Sequence, residues 1–158
     1  MITITQYEDK YAESISHIII QNLIEVNSKD YGVEFCKNSA KDFTIDKVKE
    51  NFNKRTKVFV ALENGTVVGT AGLDKSWYNS DAEYYILSVF VDVSRHKQGI
   101  GRILMQKIED FAREIKVKKL VIPASIAGAE FYHKLGYEYA NGKNELNEYQ
   151  MYTMEKLL

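Results

Sequence analysis

The 158-residue chain carries 21 basic and 22 acidic side chains, a formal net charge of −1, and 45% hydrophobic residues. These values suit a single globular domain over residues 1–158, and they supply no global positive field for nucleic acid or an anionic membrane. The lone cysteine, Cys36, excludes an internal disulfide, and the start, Met1 to Gln6, has no basic stretch leading into an apolar one, so a soluble cytoplasmic protein is expected.

Ile2 and Ile4 alternate with Thr3 and Thr5, which predicts a first strand. From Tyr11 to Val26 the residues Ile15, Ile18, Ile19, Leu23 and Val26 recur at helical spacing. Asn27 to Lys41 is polar and is read as loop with a short helical turn. Thr44 is placed to cap a helix from Ile45 to Asn53, with Val48 and Phe52 on one face. Val58, Val60 and Leu62 alternate up to Asn64-Gly65, a hairpin signal because both central residues of such a turn need positive φ. Val67 to Leu73 is the return strand. A loop from Trp77 to Asp81 leads into a long strand from Ala82 to Val91. Residues 102–117 form an amphipathic helix, with Leu104, Ile108, Phe111, Ala112 and Ile115 inward. Leu120 to Ile122 is a short strand stopped by Pro123, and Ala127 to Leu135 a helix closed by Gly136. Tyr137 to Ala140 and Gln150 to Lys156 complete the sheet as a strand pair. The economical fold is α/β: one mixed, largely antiparallel sheet of six or seven strands with helices on both faces.

The segment richest in chemistry runs from Val89 to Arg102. It puts a basic, glycine-containing loop between a strand and a helix. A helix start presents unpaired N–H groups and partial positive charge, which suit phosphate. Arg95, Lys97 and Arg102 add charge. A P-loop needs Gly-Lys-Ser/Thr, and here Arg102 and Ile103 follow Gly101. A dinucleotide fingerprint needs a third glycine where this chain has Leu104. The three histidines are dispersed and have no ligand spacing, so no metal site is expected.

Two motifs together are more specific than the loop alone. His96-Lys97-Gln98-Gly99-Ile100-Gly101 resembles the Gln/Arg-x-x-Gly-x-Gly/Ala pyrophosphate loop of the GNAT superfamily of acyl-CoA-dependent N-acyltransferases. Ser125-Ile126-Ala127-Gly128-Ala129-Glu130-Phe131-Tyr132-His133-Lys134-Leu135-Gly136-Tyr137 resembles that family's Asn-x-x-Ala-x-x-Phe-Tyr-x-x-Leu-Gly-Phe segment. Tyr152 to Lys156 is similar to the last strand of many members, and the element order matches from end to end. The departures are His96 for Gln or Arg, Ser125 for Asn and Gly128 for Ala.

The resemblance implies acetyl transfer from acetyl-CoA to the amine of a small molecule or peptide by direct attack. It places the acyl donor along Val89, Phe90 and Val91, on the loop His96, Lys97, Gln98, Gly99, Ile100, Gly101 and Arg102, and beside Ser125 and Tyr132. The Val89 N–H would stabilise the oxyanion, and Tyr132 would protonate the leaving thiolate, standing on a different helix face from Phe131 and Leu135. A base must deprotonate the amine. Glu83 is assigned that role because parity puts it on one face with Tyr85 and Val89; some relatives carry a glutamate at the position of Tyr85. A silent acyl-CoA sensor and a phosphate-binding interaction domain are the competing readings. Homodimers are common in the family, and no segment decides that point here.

Overall fold

The computed structural model describes residues 1–75 and 84–158. Glu83, the loop from Trp77 to Asp81 and the first residues of the long strand lie outside the described residues.

Seven strands form one sheet among the described residues: β1 (Ile2–Gln6), β2 (Lys57–Glu63), β3 (Thr66–Lys75), β4 (Tyr84–Val91), β5 (Lys119–Ala124), β6 (Glu138–Tyr139) and β7 (Tyr152–Leu157). Their order is β1-β2-β3-β4-β5-β7-β6. All neighbours are antiparallel except β4 and β5. Asn64 and Gly65 both take positive φ, 51° and 81°, and join β2 to β3 in the expected two-residue turn.

Helices cover both faces. α1 (Ala12–Asn22) and α4 (Ile45–Lys54) pack Ile15, Ile19, Val48 and Phe52 on Val58, Val60 and Val67. α5 (Ile100–Glu114) and the short α6 (Ala129–Lys134) pack Leu104, Ile108, Ala112 and Tyr132 on Leu73, Ile86, Leu120 and Met154. Thr44 caps α4 by accepting the Lys47 N–H at 3.3 Å. No helix among the described residues is long and apolar enough to cross a membrane.

Three expectations are corrected. The stretch Asn27 to Lys41, read as loop, is mostly helical: after the π turn (Leu23–Asn27) that ends the expected first helix come α2 (Ser28–Tyr31) and α3 (Val33–Ala40). α3 buries only Cys36 and leaves Val33 and Phe35 nearly half exposed, so it has no apolar stripe to recognise. Pro123 does not stop β5, which runs on to Ala124. Among the described residues β5 pairs with β4 only through Leu120 and Val121, and proline is tolerated beside an open edge. The basic-loop helix begins at Ile100 and ends at Glu114, so Ile115 is exposed rather than inward.

Candidate active site

The geometry of the site starts from one irregularity in β4. On β3, Thr70 pairs with Phe90 while Gly72 pairs with Leu87, so β4 holds one residue more than its partner between those points. Ser88 absorbs it with φ of 54°, a left-handed conformation uncommon for a residue with a side chain. Two consequences follow. The bulge changes the parity of β4, sending Ile86 and Val89 into the α5-side core while Phe90 packs on the α1 side. Tyr85 pairs with Asp74, two residues from Gly72 and four from Thr70, and therefore shares Phe90's face. The parity argument that joined Tyr85 to Val89 is thereby overturned: the two lie on opposite faces.

The second consequence is an opening. Among the described residues, parallel pairing of β4 and β5 is confined to Tyr84↔Leu120 and Tyr85↔Val121. Beyond Tyr85 the edge of β4 toward β5 has no strand partner among the described residues, although both strands continue. Such an edge offers N–H and C=O groups to an extended ligand, as a sheet edge does to an added strand. Val91 ends this stretch with its carbonyl already engaged, accepting from Asn22 Nδ2 at 2.8 Å and lying 2.9 Å from His96 Nε2. His96 thus closes the loop onto the strand. Asn22 also donates to Ile18 O and is buried, which ties α1 to the end of β4.

β4 feeds into the start of α5. Asp92 Oδ1 accepts from the Ser94 N–H and hydroxyl at 2.9 and 2.7 Å, turning the chain out of the sheet. Lys97 and Gly99 then take positive φ, 62° and 84°. Gly99 has open space around its Cβ position, so its glycine answers to conformation rather than to packing. The first helical hydrogen bond of α5 runs from Ile103 N to Gly99 O, leaving the N–H groups of Ile100, Gly101 and Arg102 without helical acceptors. No acidic residue stands in that first turn, so the positive end of the helix is uncompensated.

The named residues are not equivalent. Ile100 buries its side chain in the core and presents only backbone. Lys97 and Arg102 are exposed and make no ion pair among the described residues. Arg95 is committed elsewhere, pairing with Glu63 on β2 and donating from Nε to Gln98 Oε1 at 3.0 Å. Gly101 abuts Phe131, whose Cζ would lie 3.0 Å from a Cβ at that position. This contact fastens α6 to the start of α5 and brings the two sequence motifs together in space.

Ser125, just past the end of β5, accepts the Gly128 N–H on Oγ at 3.1 Å. A Cβ at Gly128 would meet Ser125 Oγ at 3.1 Å and the Tyr132 ring at 3.2 Å, which accounts for glycine there. Tyr132 does not stand apart from Phe131 and Leu135 as expected. It is itself a member of the core, 8% exposed, with those two packed around the same cluster. Its ring meets Phe131 at 5.1 Å and Tyr137 at 6.2 Å, both edge to face. Burial alone raises the Tyr132 phenol well above its ordinary pKa. Tyr137 in turn donates to the buried Glu109 at 2.9 Å, and Lys156 Nζ donates to the same carboxylate oxygen at 2.9 Å.

Sequence reasoning missed Ser88, Asn22 and Tyr31. Asn22 carried a readable signal, a polar residue on the stripe of Ile15, Ile18 and Ile19. Tyr31 ties α2 to the segments after β5 and before β7: its hydroxyl accepts the Ile126 N–H at 3.0 Å and donates to Gln150 O at 2.8 Å. Nothing in a run of strand-forming residues marks Ser88 as the bulge. No group of three metal-ligating side chains occurs among the described residues.

Comparison with known proteins places this geometry. The family model described as "Acetyltransferase (GNAT) family" matches residues 20–137. The N-alpha-acetyltransferase RimI of Mycobacterium tuberculosis is 32% identical over 78 residues, and the match spans about half (49%) of each chain. The crystal structure of PaiA N-acetyltransferase from Thermoplasma acidophilum in complex with coenzyme A superposes with a TM-score of 0.84 at 15% identity, over 100% of this chain and 99% of that one. A GCN5-related N-acetyltransferase structure from Rhodopseudomonas palustris gives a TM-score of 0.81 at 21% identity, covering 99% of this chain and 95% of the other. At these identities the structural likeness concerns the fold.

Proposed function

The chain belongs to the acetyltransferase (GNAT) family, and from that premise we propose that it moves an acetyl group from acetyl-CoA to an amine by direct attack. The observation that carries this reading is the unpaired β4 edge, which begins past Tyr85 and leads into the uncompensated start of α5. An acyl donor that is extended at one end and doubly phosphorylated at the other matches both features. Backbone groups of Val89, Phe90 and Val91 would line the extended arm. The N–H groups of Ile100, Gly101 and Arg102, with His96, Lys97, Gln98 and Gly99 shaping the loop, would receive the pyrophosphate. Lys97 and Arg102 are the loop cations left for it, since Arg95 is paired with Glu63.

When bound, the donor supplies an activated thioester carbonyl. The Val89 N–H is proposed to donate to the carbonyl oxygen as negative charge builds there; a well-placed oxyanion donor contributes about 3–4 kcal/mol. A base must take the proton that the amine loses, directly or through water. Glu83 is proposed for it as the carboxylate two residues before Tyr85 in the chain, no longer on parity with Val89. The amine nitrogen then bonds to the carbonyl carbon, the C–S bond breaks, and the electron pair leaves on sulfur. Tyr132 holds its proton firmly because its site is dry, which suits a hydroxyl that stabilises the departing thiolate by hydrogen bonding. The Ser125 hydroxyl is proposed to donate to the donor molecule's arm. The π turn, α2 and the loop tied by Tyr31 are proposed to bound the acceptor.

The test is release of free thiol from acetyl-CoA across a panel of amines, including the peptide α-amines that the RimI relative brings to mind. Calorimetric binding of coenzyme A without release from any amine would favour an acyl-CoA sensor. Absence of coenzyme A binding would overturn the proposal.

A further inference from the structure

Arg55 sits where α4 hands over to β2, and its guanidinium is set into the protein rather than held in water. The head group lies over the Phe52 ring, 4.5 Å from its centroid. It also rests on Gly72 of β3, where a Cβ would come within 3.0 Å of Nη1. Glycine at this position is what makes room for the cation. Nη1 is buried and has no hydrogen-bond partner among the described residues.

The carboxylate that acts on Arg55 is that of Asp74, but its Oδ1 already accepts from the Thr56 N–H, the Thr56 hydroxyl and the Lys75 N–H at 3.3, 3.2 and 2.9 Å. Burial lowers the Arg55 pKa to about 10, so the group is still a cation at neutral pH. The same side chain borders a cleft of about 180 Å³ walled by Gln6, Tyr7, Phe52, Asn53 and Thr56. Lys57 brings no competing ammonium there, because its Nζ lies 4.7 Å over Phe111, in the α5-side core. A buried cation with an unmet donor is costly to keep, and an apolar side chain would fill the same space on Phe52 without that cost.

We propose that this cleft is a binding site for a monoanionic carboxylate held by the Arg55 guanidinium. With Nη1 turned to Gly72, a carboxylate in the cleft would take two parallel hydrogen bonds from the Nε–Nη2 edge of the planar fork. Asp9 is bonded to Tyr7 and Asn53, two walls of the cleft, and Asp74 to Thr56, a third, so negative charge already stands behind the walls and a ligand with one negative charge is favoured over one with two. Gly72 pairs with Leu87, the residue before the bulge, so the guanidinium lies on the face of β4 that carries Tyr85. The carboxylate has two sources: a free small acid, or an acceptor bearing both an amine and a carboxylate. The second source rests on the transferase reading and the first does not.

The decisive measurement is the Nε–Hε signal of Arg55 in ¹⁵N-labelled protein during titration with sodium propionate, against sodium chloride at matched ionic strength. Assignment through backbone connectivity makes it independent of how variants fold. A saturable shift of this signal, larger with propionate than with inorganic phosphate, is expected. A signal unmoved by propionate, or moved equally by chloride, overturns the site; a larger response to phosphate overturns the preference for one charge. A second arm compares Arg55→Lys with the parent on an amino acid and on its amide. A KM raised about tenfold for the acid alone (about 1.4 kcal/mol) assigns the carboxylate to the acceptor. Unchanged KM for both, with the propionate shift present, assigns it to a free acid. If no amine is acetylated at all, the transferase reading fails and the propionate titration still decides the site.

Discussion

Replacing Gly101 by Val separates two reasons for a glycine at the start of α5. The first is contact: a Cβ would stand 3.0 Å from Phe131 Cζ, inside the roughly 3.5–4.0 Å at which carbon atoms attract. Phe131 cannot retreat freely, because its ring is set edge-on against Tyr132 at 5.1 Å. Overpacking of this kind costs about 1–3 kcal/mol, and a β-branched residue puts the expected value near ~2 kcal/mol. For a chain of this size that lowers Tm by about 4–8 °C. In a Phe131→Leu background Cζ is absent, so the same Gly101→Val change should cost under ~1 kcal/mol, a coupling of about 1 kcal/mol or more in a double-mutant cycle. The second reason is close approach of the pyrophosphate to the backbone. If that holds, acetyl-CoA affinity measured by calorimetry drops beyond tenfold, about 1.4 kcal/mol, in both backgrounds. Equal destabilisation with Phe or Leu at 131 refutes the contact argument. Affinity restored by Phe131→Leu refutes the pyrophosphate argument and leaves Gly101 as a packing residue.

Tyr132→Phe removes a hydrogen-bond donor to the departing thiolate and should lower turnover by ~10²-fold or more while acetyl-CoA affinity moves far less, as read by steady-state kinetics and calorimetry. Since burial raises the Tyr132 pKa, its folded-state stabilisation is complete below the ordinary tyrosine value of about 10 and is lost as pH rises through the higher folded value; Tyr132→Phe should flatten that alkaline loss in Tm, and an unchanged alkaline profile would contradict the burial argument. Glu83→Gln should reduce kcat and alter the acid limb of the pH–rate profile without weakening acetyl-CoA binding; a profile superimposable on the parent removes Glu83 from the mechanism. Lys156→Met strands the buried Glu109 carboxylate, which Tyr137 alone then satisfies. It should destabilise by about 3 kcal/mol in urea unfolding, and a loss no greater than that of Tyr137→Phe would show the pair to be unimportant.

Much of this molecule is legible in its sequence. Local rules suffice where one residue type answers one local demand: Asn64-Gly65 for the left-handed turn, Thr44 for the open N–H groups of α4, the spacing of Leu104, Ile108 and Ala112 for the buried face of α5. The basic loop and the later Phe131-Tyr132 segment were recognisable as two motifs because each is contiguous in the chain. Their meeting, Gly101 against Phe131, is a contact between helices separated by a strand, and no local signal encodes it. The stretch after α1 was misread because a helix that buries only Cys36 leaves no periodic trace. Tertiary structure alone decided the parity of β4. Alternation assumes an unbroken ladder, and Ser88 breaks it in response to β3 and the splayed β5, long-range partners that a reading of neighbours along the chain does not contain. The same holds for Arg55: in sequence it is one more surface arginine after a helix, and only the fold lays it over Phe52 and on Gly72, where its charge has to be met.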